Sequence, residues 1–275
     1  MPQALAGIAS VLVLYHLVRR WQGEIAAFVA SLAFALTPVA VAVFRLNLPD
    51  ALLTLVFLIA AWALWSALET GSTNKLIACG AALGLAFLTK MMEALLVVPA
   101  FVITYLISGP RGIGRRLAQL TAGAASMALS GGWYLAVFAL WPRESRPHVG
   151  GSATDSIWDL IFSRSAGYFG QEGSVPNFSG SPGWFRLFNY EFGGQVAWLI
   201  PLALLGLVAG LWWARKTPRA ARERAGFVLW GAWFVVGAVT FSLAPGVIHP
   251  YYAAALAPPL AALVGGGGVA TWLFG

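Results

Sequence analysis

The sequence predicts an all-α polytopic membrane protein, a helix bundle of about nine spans with one long external loop. Three observations carry that expectation. Hydrophobic residues make up 59% of the chain and charged residues only 10%, with a mean hydropathy of +0.77, whereas an ordinary soluble domain carries about 25% charged residues. Apolar runs of spanning length recur along all 275 residues. The basic residues concentrate in alternate gaps between those runs, the pattern of a chain threaded with its positive loops on one side.

The runs cover 3–18, 25–44, 51–68, 76–89, 92–108, 117–141, 196–214, 226–245 and 252–274. Each must be helical, because an open strand in lipid leaves backbone groups unpaired at several kcal/mol apiece. Arg19, Arg20, Lys75, Arg111, Arg115, Arg116, Arg215, Lys216, Arg219, Arg222 and Arg224 supply eleven of the 17 basic residues, and the side their loops share is the cytoplasmic one. The opposite side then holds Asp50, Glu93, Glu144, Asp155, Asp159, Glu172 and Glu191, seven of the ten acidic residues. This parity requires 76–108 to be two short spans meeting at Lys90, since a single span would throw the later basic clusters outside. Lys90 and Glu93 stand at i, i+3, either as an ion pair on one helical face or as two side chains snorkelling to the interface.

The long polar segment, 142–195, is too aromatic for a disordered linker. Within it Ile157, Trp158, Ile161 and Phe162 follow Asp155 at amphipathic spacing, which predicts a short interfacial helix with Asp155 as its N-cap. Gly265–Gly268 weaken the last helix. The single cysteine, Cys79, excludes a disulfide framework within the chain. A net charge of +7 does not imply nucleic acid here, because loop topology accounts for it. Residue 1 enters an apolar run without a basic leader, and residue 275 follows another run directly, so the chain is expected to be part of a larger bundle, cut at both ends.

Soluble-enzyme motifs are missing: no phosphate loop, no dinucleotide fingerprint, no zinc-protease helix and no nucleophile elbow. Candidate chemistry therefore rests on ionisable groups at span ends. Asp50 closes Arg45-Leu-Asn47-Leu-Pro-Asp50, and two readings stand for it. It is a helix-start residue favoured by the dipole, or a carboxylate beside Arg45 and Asn47 placed to take a proton or orient a sugar hydroxyl. His249-Pro-Tyr251-Tyr252 is either an interfacial tyrosine belt or, with Lys90, a headgroup-phosphate site. Arg146-Pro-His148-Val-Gly-Gly-Ser152 adds a cation and two glycines whose amides can approach an anion. His16, His148 and His249 are too scattered to form a metal site by themselves.

Taken together, the 45–50 motif, Gly84-Leu-Ala-Phe-Leu-Thr-Lys90, the 146–152 stretch and His249-Pro-Tyr-Tyr252 resemble the dolichyl-phosphate-mannose protein mannosyltransferase family. Within it the chain looks most similar to the bacterial branch of aminoarabinose transferases and Gram-positive envelope mannosyltransferases. The resemblance implies a GT-C membrane fold and an enzyme of the bacterial plasma membrane with its active face extracytoplasmic. It also implies inverting transfer of a sugar from a polyprenyl-phosphate carrier to an envelope acceptor, whether lipid, glycan or protein. By the same resemblance Asp50 is the catalytic candidate of this chain. Arg45, Asn47, Lys90, Arg146, His148, His249, Tyr251 and Tyr252 bind substrate, and the principal carboxylate belongs to a first external loop upstream of residue 1. No metal ligand is assigned; sugar identity, divalent-metal use and oligomeric state stay open, as does the long loop, where Asp155 and Gly167-Tyr-Phe-Gly170 depart from the family pattern. Two rivals of other classes are a transporter or flippase for a lipid-linked sugar and a non-catalytic envelope scaffold. A transporter calls for ionisable groups at midplane and inverted repeats, which the sequence does not display.

Overall fold

The computed structural model describes every residue except 111, 150–151, 153, 162–178, 219–220, 246–247 and 275, together with the side chains of those described up to residue 270. The described residues are helices and their connections: α1 (Pro2–Gln22), α2 (Glu24–Leu36), α3 (Pro38–Arg45), α4 (Asp50–Thr70), α5 (Thr73–Lys90), α6 (Val98–Ser108), α7 (Ile113–Leu140), α8 (Ile200–Ala214), α9 (Arg222–Leu243) and α10 (Ala257–Phe274). Proline opens α1, α3, α6 and α8 in the first turn, where a missing N–H costs nothing and the fixed φ suits the helix. Gly71 closes α4 at φ 65°, the left-handed cap that glycine adopts freely.

By length and composition seven helical stretches can cross a membrane, and eight with the bent α2–α3 pair. One of them, Thr73–Ser108, doubles back on itself. Tyr105 Oη donates to Gln119 (2.7 Å), whose Nε2 donates to Thr73 Oγ1 (2.9 Å) and the Gly71 carbonyl (3.0 Å), so α6 ends where α5 began. Lys90, at the far end of α5, meets Asp50 at the start of α4. The stretch is therefore two legs joined at Lys90, which restores the alternation that the loop charges require and makes nine legs among the described residues.

The run 25–44, read as a single continuous span, is instead broken by 63° between α2 and α3. Pro38 has no N–H to continue the ladder, and Thr37 turns its hydroxyl back to the Ala33 carbonyl at 2.7 Å. The glycine run expected to weaken α10 lies within the helix and serves close packing: a Cβ on Gly265 would stand 2.3 Å from the Ala26 carbonyl oxygen.

α5 and α7 run parallel with their backbones in contact. Ser126 and Ser130 donate to the Ile77 and Ala81 carbonyls at 2.9 and 3.1 Å. A Cβ on Gly80 would stand 2.0 Å from the Gly123 carbonyl, and one on Gly84 would stand 2.6 Å from that of Met127. Small residues of this kind are what allow helices to approach closely in lipid. Elsewhere the core is aromatic: Trp230 stacks on Trp233, which meets Phe57 and Phe101 edge-on and donates to the Ala255 carbonyl at 3.1 Å. The bundle thus has a basic end, carrying Arg20, Arg115, Arg116 and Arg222, and an acidic end, carrying Asp50 and Glu93.

Candidate active site

At the acidic end two carboxylates and a pair of tyrosine rings meet on one ammonium group. Asp50 is the first residue of α4 and is buried; Lys90 is the last of α5; Glu93 lies in the 3-10 segment Met91–Val97 that links α5 to α6. Lys90 Nζ stands 2.6 Å from Asp50 Oδ1 and 2.6 Å from Glu93 Oε2. Their side chains are only 16%, 3% and 5% exposed, so this is a buried cluster with two carboxylates to one cation. Asp50 Oδ2 is buried as well and has no hydrogen-bond partner among the described residues.

The backbone is bent to make this contact. Met91 holds φ at 44°, the left-handed region that a residue with a side chain occupies at a cost of roughly 1–3 kcal/mol, sustained where the surroundings over-determine it. Here the ion pairs on either side of the turn supply that constraint.

The 249–252 cluster closes over the same ammonium. Lys90 Nζ lies 3.9 Å from the centroid of the Tyr252 ring and 5.4 Å from that of Tyr251, within cation–π range. His249 stacks on Tyr251 at 5.1 Å and meets Tyr252 edge-on at 5.4 Å. Burial pushes the His249 pKa below its ordinary 6.5, and the Lys90 charge pushes the same way against a weaker pull from Asp50. The imidazole is therefore neutral at pH 7.

Arg146 and His148 form a separate group organised by Asp155. That carboxylate accepts the Val149 N–H at 2.6 Å and lies 2.9 Å from His148 Nδ1, with the Arg146 guanidinium 4.0 Å away. The Val149 N–H, ahead of the neighbouring charges, holds the Asp155 carboxyl below the usual range. Asp155 sits at φ 53° and turns back toward Val149, so it is not the N-cap of the short helix, which spans 157–161 behind Ser156. The expected N-cap fails because the carboxylate is turned upstream to the Val149 N–H. Arg146 lies over the Phe138 ring at 4.6 Å, and its buried Nε has no hydrogen-bond partner among the described residues.

Two cavities adjoin these groups. One of about 240 Å³ is lined by Phe87, Leu88, Met91, Trp133, Tyr134 and Leu135 beside the hairpin tip. The other, about 250 Å³, lies between α7 and the loop, with Tyr134, Phe138, His148, Val149 and Ile157 on its wall. Tyr134 lines both. A larger, apolar cavity of about 310 Å³ around Cys79, Leu83 and Phe101 is set among α5, α6 and α7, away from the charged cluster.

Of the residues singled out by sequence, the structure gathers Asp50, Lys90, His249, Tyr251 and Tyr252 into one cluster, with Arg146 and His148 in a second. Arg45 is exposed at the end of α3, and Asn47 accepts from Gln3; neither is bonded to Asp50. The glycine pair 150–151 and the stretch 167–170 lie outside the described residues. Arg186, in the long loop, is buried and donates to the Ser179, Phe241 and Ala244 carbonyls, tying the loop to the end of α9. Glu93 was visible only as a spacing partner of Lys90. Among the described residues no group of three or more His, Cys, Asp or Glu side chains could hold a metal ion.

Comparison with known proteins finds similarity in family and fold. Residues 1–134 match the family model for dolichyl-phosphate-mannose-protein mannosyltransferase. Two proteins of Bacillus subtilis (strain 168) align over nearly the whole chain: "Putative mannosyltransferase YkcB" at 32% identity, covering 98% of the chain, and "Putative mannosyltransferase YycA" at 30%, covering 96%. The chain spans about half the length of these curated relatives, 51% of each. Among solved structures, ArnT from Cupriavidus metallidurans bound to undecaprenyl phosphate superposes with a TM-score of 0.64 at 25% identity, covering 96% of this chain and 44% of ArnT.

Proposed function

We propose that this chain, a multi-pass membrane protein of the GT-C family of mannosyltransferase-like glycosyltransferases, is the part of a polyprenyl-phosphate-sugar-dependent transferase that carries Asp50 and Lys90 to its reaction centre. The sugar passes to a cell-envelope acceptor on the outer face of the bacterial plasma membrane. The observation that carries the reading is the buried Asp50–Lys90 pair, 2.6 Å apart under the Tyr252 ring, with Asp50 Oδ2 unbonded among the described residues. The orientation rests on the basic residues of the opposite end.

In this reading the acceptor hydroxyl hydrogen-bonds to Asp50 Oδ2. Its oxygen attacks the anomeric carbon, the bond to phosphate breaks with its electron pair leaving on the polyprenyl phosphate, and the hydroxyl proton passes to the carboxylate. Lys90 and Arg146 face the charge that grows on the leaving phosphate, where preorganised donors in a dry site have their largest effect. Neutral His249 orients by hydrogen bonding rather than by charge. Arg45, Asn47, His148, Tyr251 and Tyr252 line the approach of the headgroup and the acceptor. The undecaprenyl phosphate in the ArnT structure supports a polyprenyl carrier.

The test is transfer of labelled sugar from polyprenyl phosphate to envelope material. Asp50→Asn should cost about 10²-fold or more in turnover; wild-type turnover in that variant removes Asp50 from the site.

A further inference from the structure

We propose that Glu93 is a positioning residue that sets how firmly the site holds the carrier's phosphate: it shares Lys90 with Asp50, and the incoming phosphate takes Lys90 from Glu93 rather than from Asp50. The inference rests on the reading of the site given above.

Counted as charges, Asp50, Lys90 and Glu93 sum to an anionic cluster, and it is buried. An anion entering such a place meets repulsion that water does not screen, and the one ammonium at the centre is already engaged on two sides. A phosphate can use Lys90 only if one carboxylate gives way. The two carboxylates are not held alike. Asp50 is the first residue of a 21-residue helix, with its backbone carbonyl accepting from Thr54 at 2.8 Å. Glu93 sits in the seven-residue 3-10 segment just beyond Met91, whose positive φ marks a turn under tension, and its side chain is one methylene longer. The cavity lined by Met91, Phe87 and Trp133 adjoins this turn and leaves room for it to shift. Among the described residues the Tyr251 and Tyr252 rings also face Lys90, with His249 stacked behind them.

The consequence runs in both directions. Glu93 weakens the hold on the carrier before reaction. After transfer, when the carrier phosphate has lost its sugar and gained negative charge, the return of Glu93 to Lys90 favours its departure. Glu93 thus trades affinity for release without touching the reacting atoms.

Binding of undecaprenyl phosphate and of undecaprenol to the protein in nanodiscs tests this, together with transfer kinetics. Wild type should prefer the phosphate-bearing lipid; equal binding of the two lipids would overturn the reading of the site itself. Glu93→Gln should bind undecaprenyl phosphate about tenfold tighter with undecaprenol unchanged, and should lower KM and kcat together as release slows. Wild-type affinity in Glu93→Gln, with the lipid preference intact, overturns the role of Glu93 and leaves the site standing. Should that variant fail to fold, Glu93→Asp keeps the charge but shortens the reach. It should then tighten phosphate binding by a smaller factor, and unchanged affinity there is equally fatal.

Discussion

The two ends of α4 carry ion clusters of opposite stoichiometry. At its start, Asp50 and Glu93 share Lys90, two anions to one cation. Near its close, Glu69 takes Arg20 and Arg222, two cations to one anion, and also accepts from Trp65 Nε1 at 2.8 Å. Both clusters pin α4 to elements distant in sequence, yet they differ in surroundings. The Glu69 cluster is open, with Arg222 54% and Glu69 24% exposed, and ordinary helical backbone supports it. The Lys90 cluster is buried under aromatic rings, leaves a carboxylate oxygen of Asp50 unbonded among the described residues, and depends on a strained turn at Met91. Anchoring alone needs none of those three costs. Their concentration at one end is what the proposed reaction centre calls for and a fastening does not.

Substitutions should widen that contrast. Lys90→Met leaves two buried carboxylates without their cation and should destabilise the protein by about 3–5 kcal/mol, read as a lowered unfolding temperature in detergent, with loss of sugar transfer. Glu69→Gln, the corresponding removal of the central charge at the other end, should cost about 1 kcal/mol or less and leave transfer at the wild-type rate, because exposed ion pairs contribute little. A large loss of transfer in Glu69→Gln would dissolve the distinction between the two ends.

The smallest effect concerns pH. His249 has its folded pKa depressed below 6.5, first by burial and then by Lys90. Its contribution to stability is fully present above the unfolded value and is lost as pH falls below it, since the unfolded chain binds the proton first. Between pH 7 and pH 5 the unfolding temperature of wild type should therefore fall more than that of His249→Gln. Parallel curves would show that the imidazole is not buried against the Lys90 charge.

Much of the fold was legible from hydropathy and charge. The hairpin at Lys90 followed from loop parity alone, because a single span at 76–108 would have inverted every later basic loop. The break at Pro38 has its signal in the sequence, but hydropathy hides it because the run stays apolar on both sides. The site was legible in part. The i, i+3 spacing of Lys90 and Glu93 is local and can be read, whereas the Lys90–Asp50 contact spans 40 residues and is fixed by how α4 packs on α5. Asp155 misled because its residue type suits an N-cap, while its partner, the Val149 N–H, is presented only once the loop has folded. Arg186 shows the same limit: a charged residue in a loop reads as solvated until the carbonyls at the end of α9 are seen to receive it.

The glycine seam between α5 and α7 has a consequence for the protein's response to its lipid. A helix held only by hydrophobic matching tilts or slides when the bilayer thins or thickens. α5 cannot do so alone, because Gly80 and Gly84 abut the backbone of α7 and two serine hydrogen bonds fix the axial register. Mismatch is then absorbed by the pair moving as a body or by the lipid itself. The depth of Lys90 is set relative to α7, whatever the thickness of the surrounding membrane.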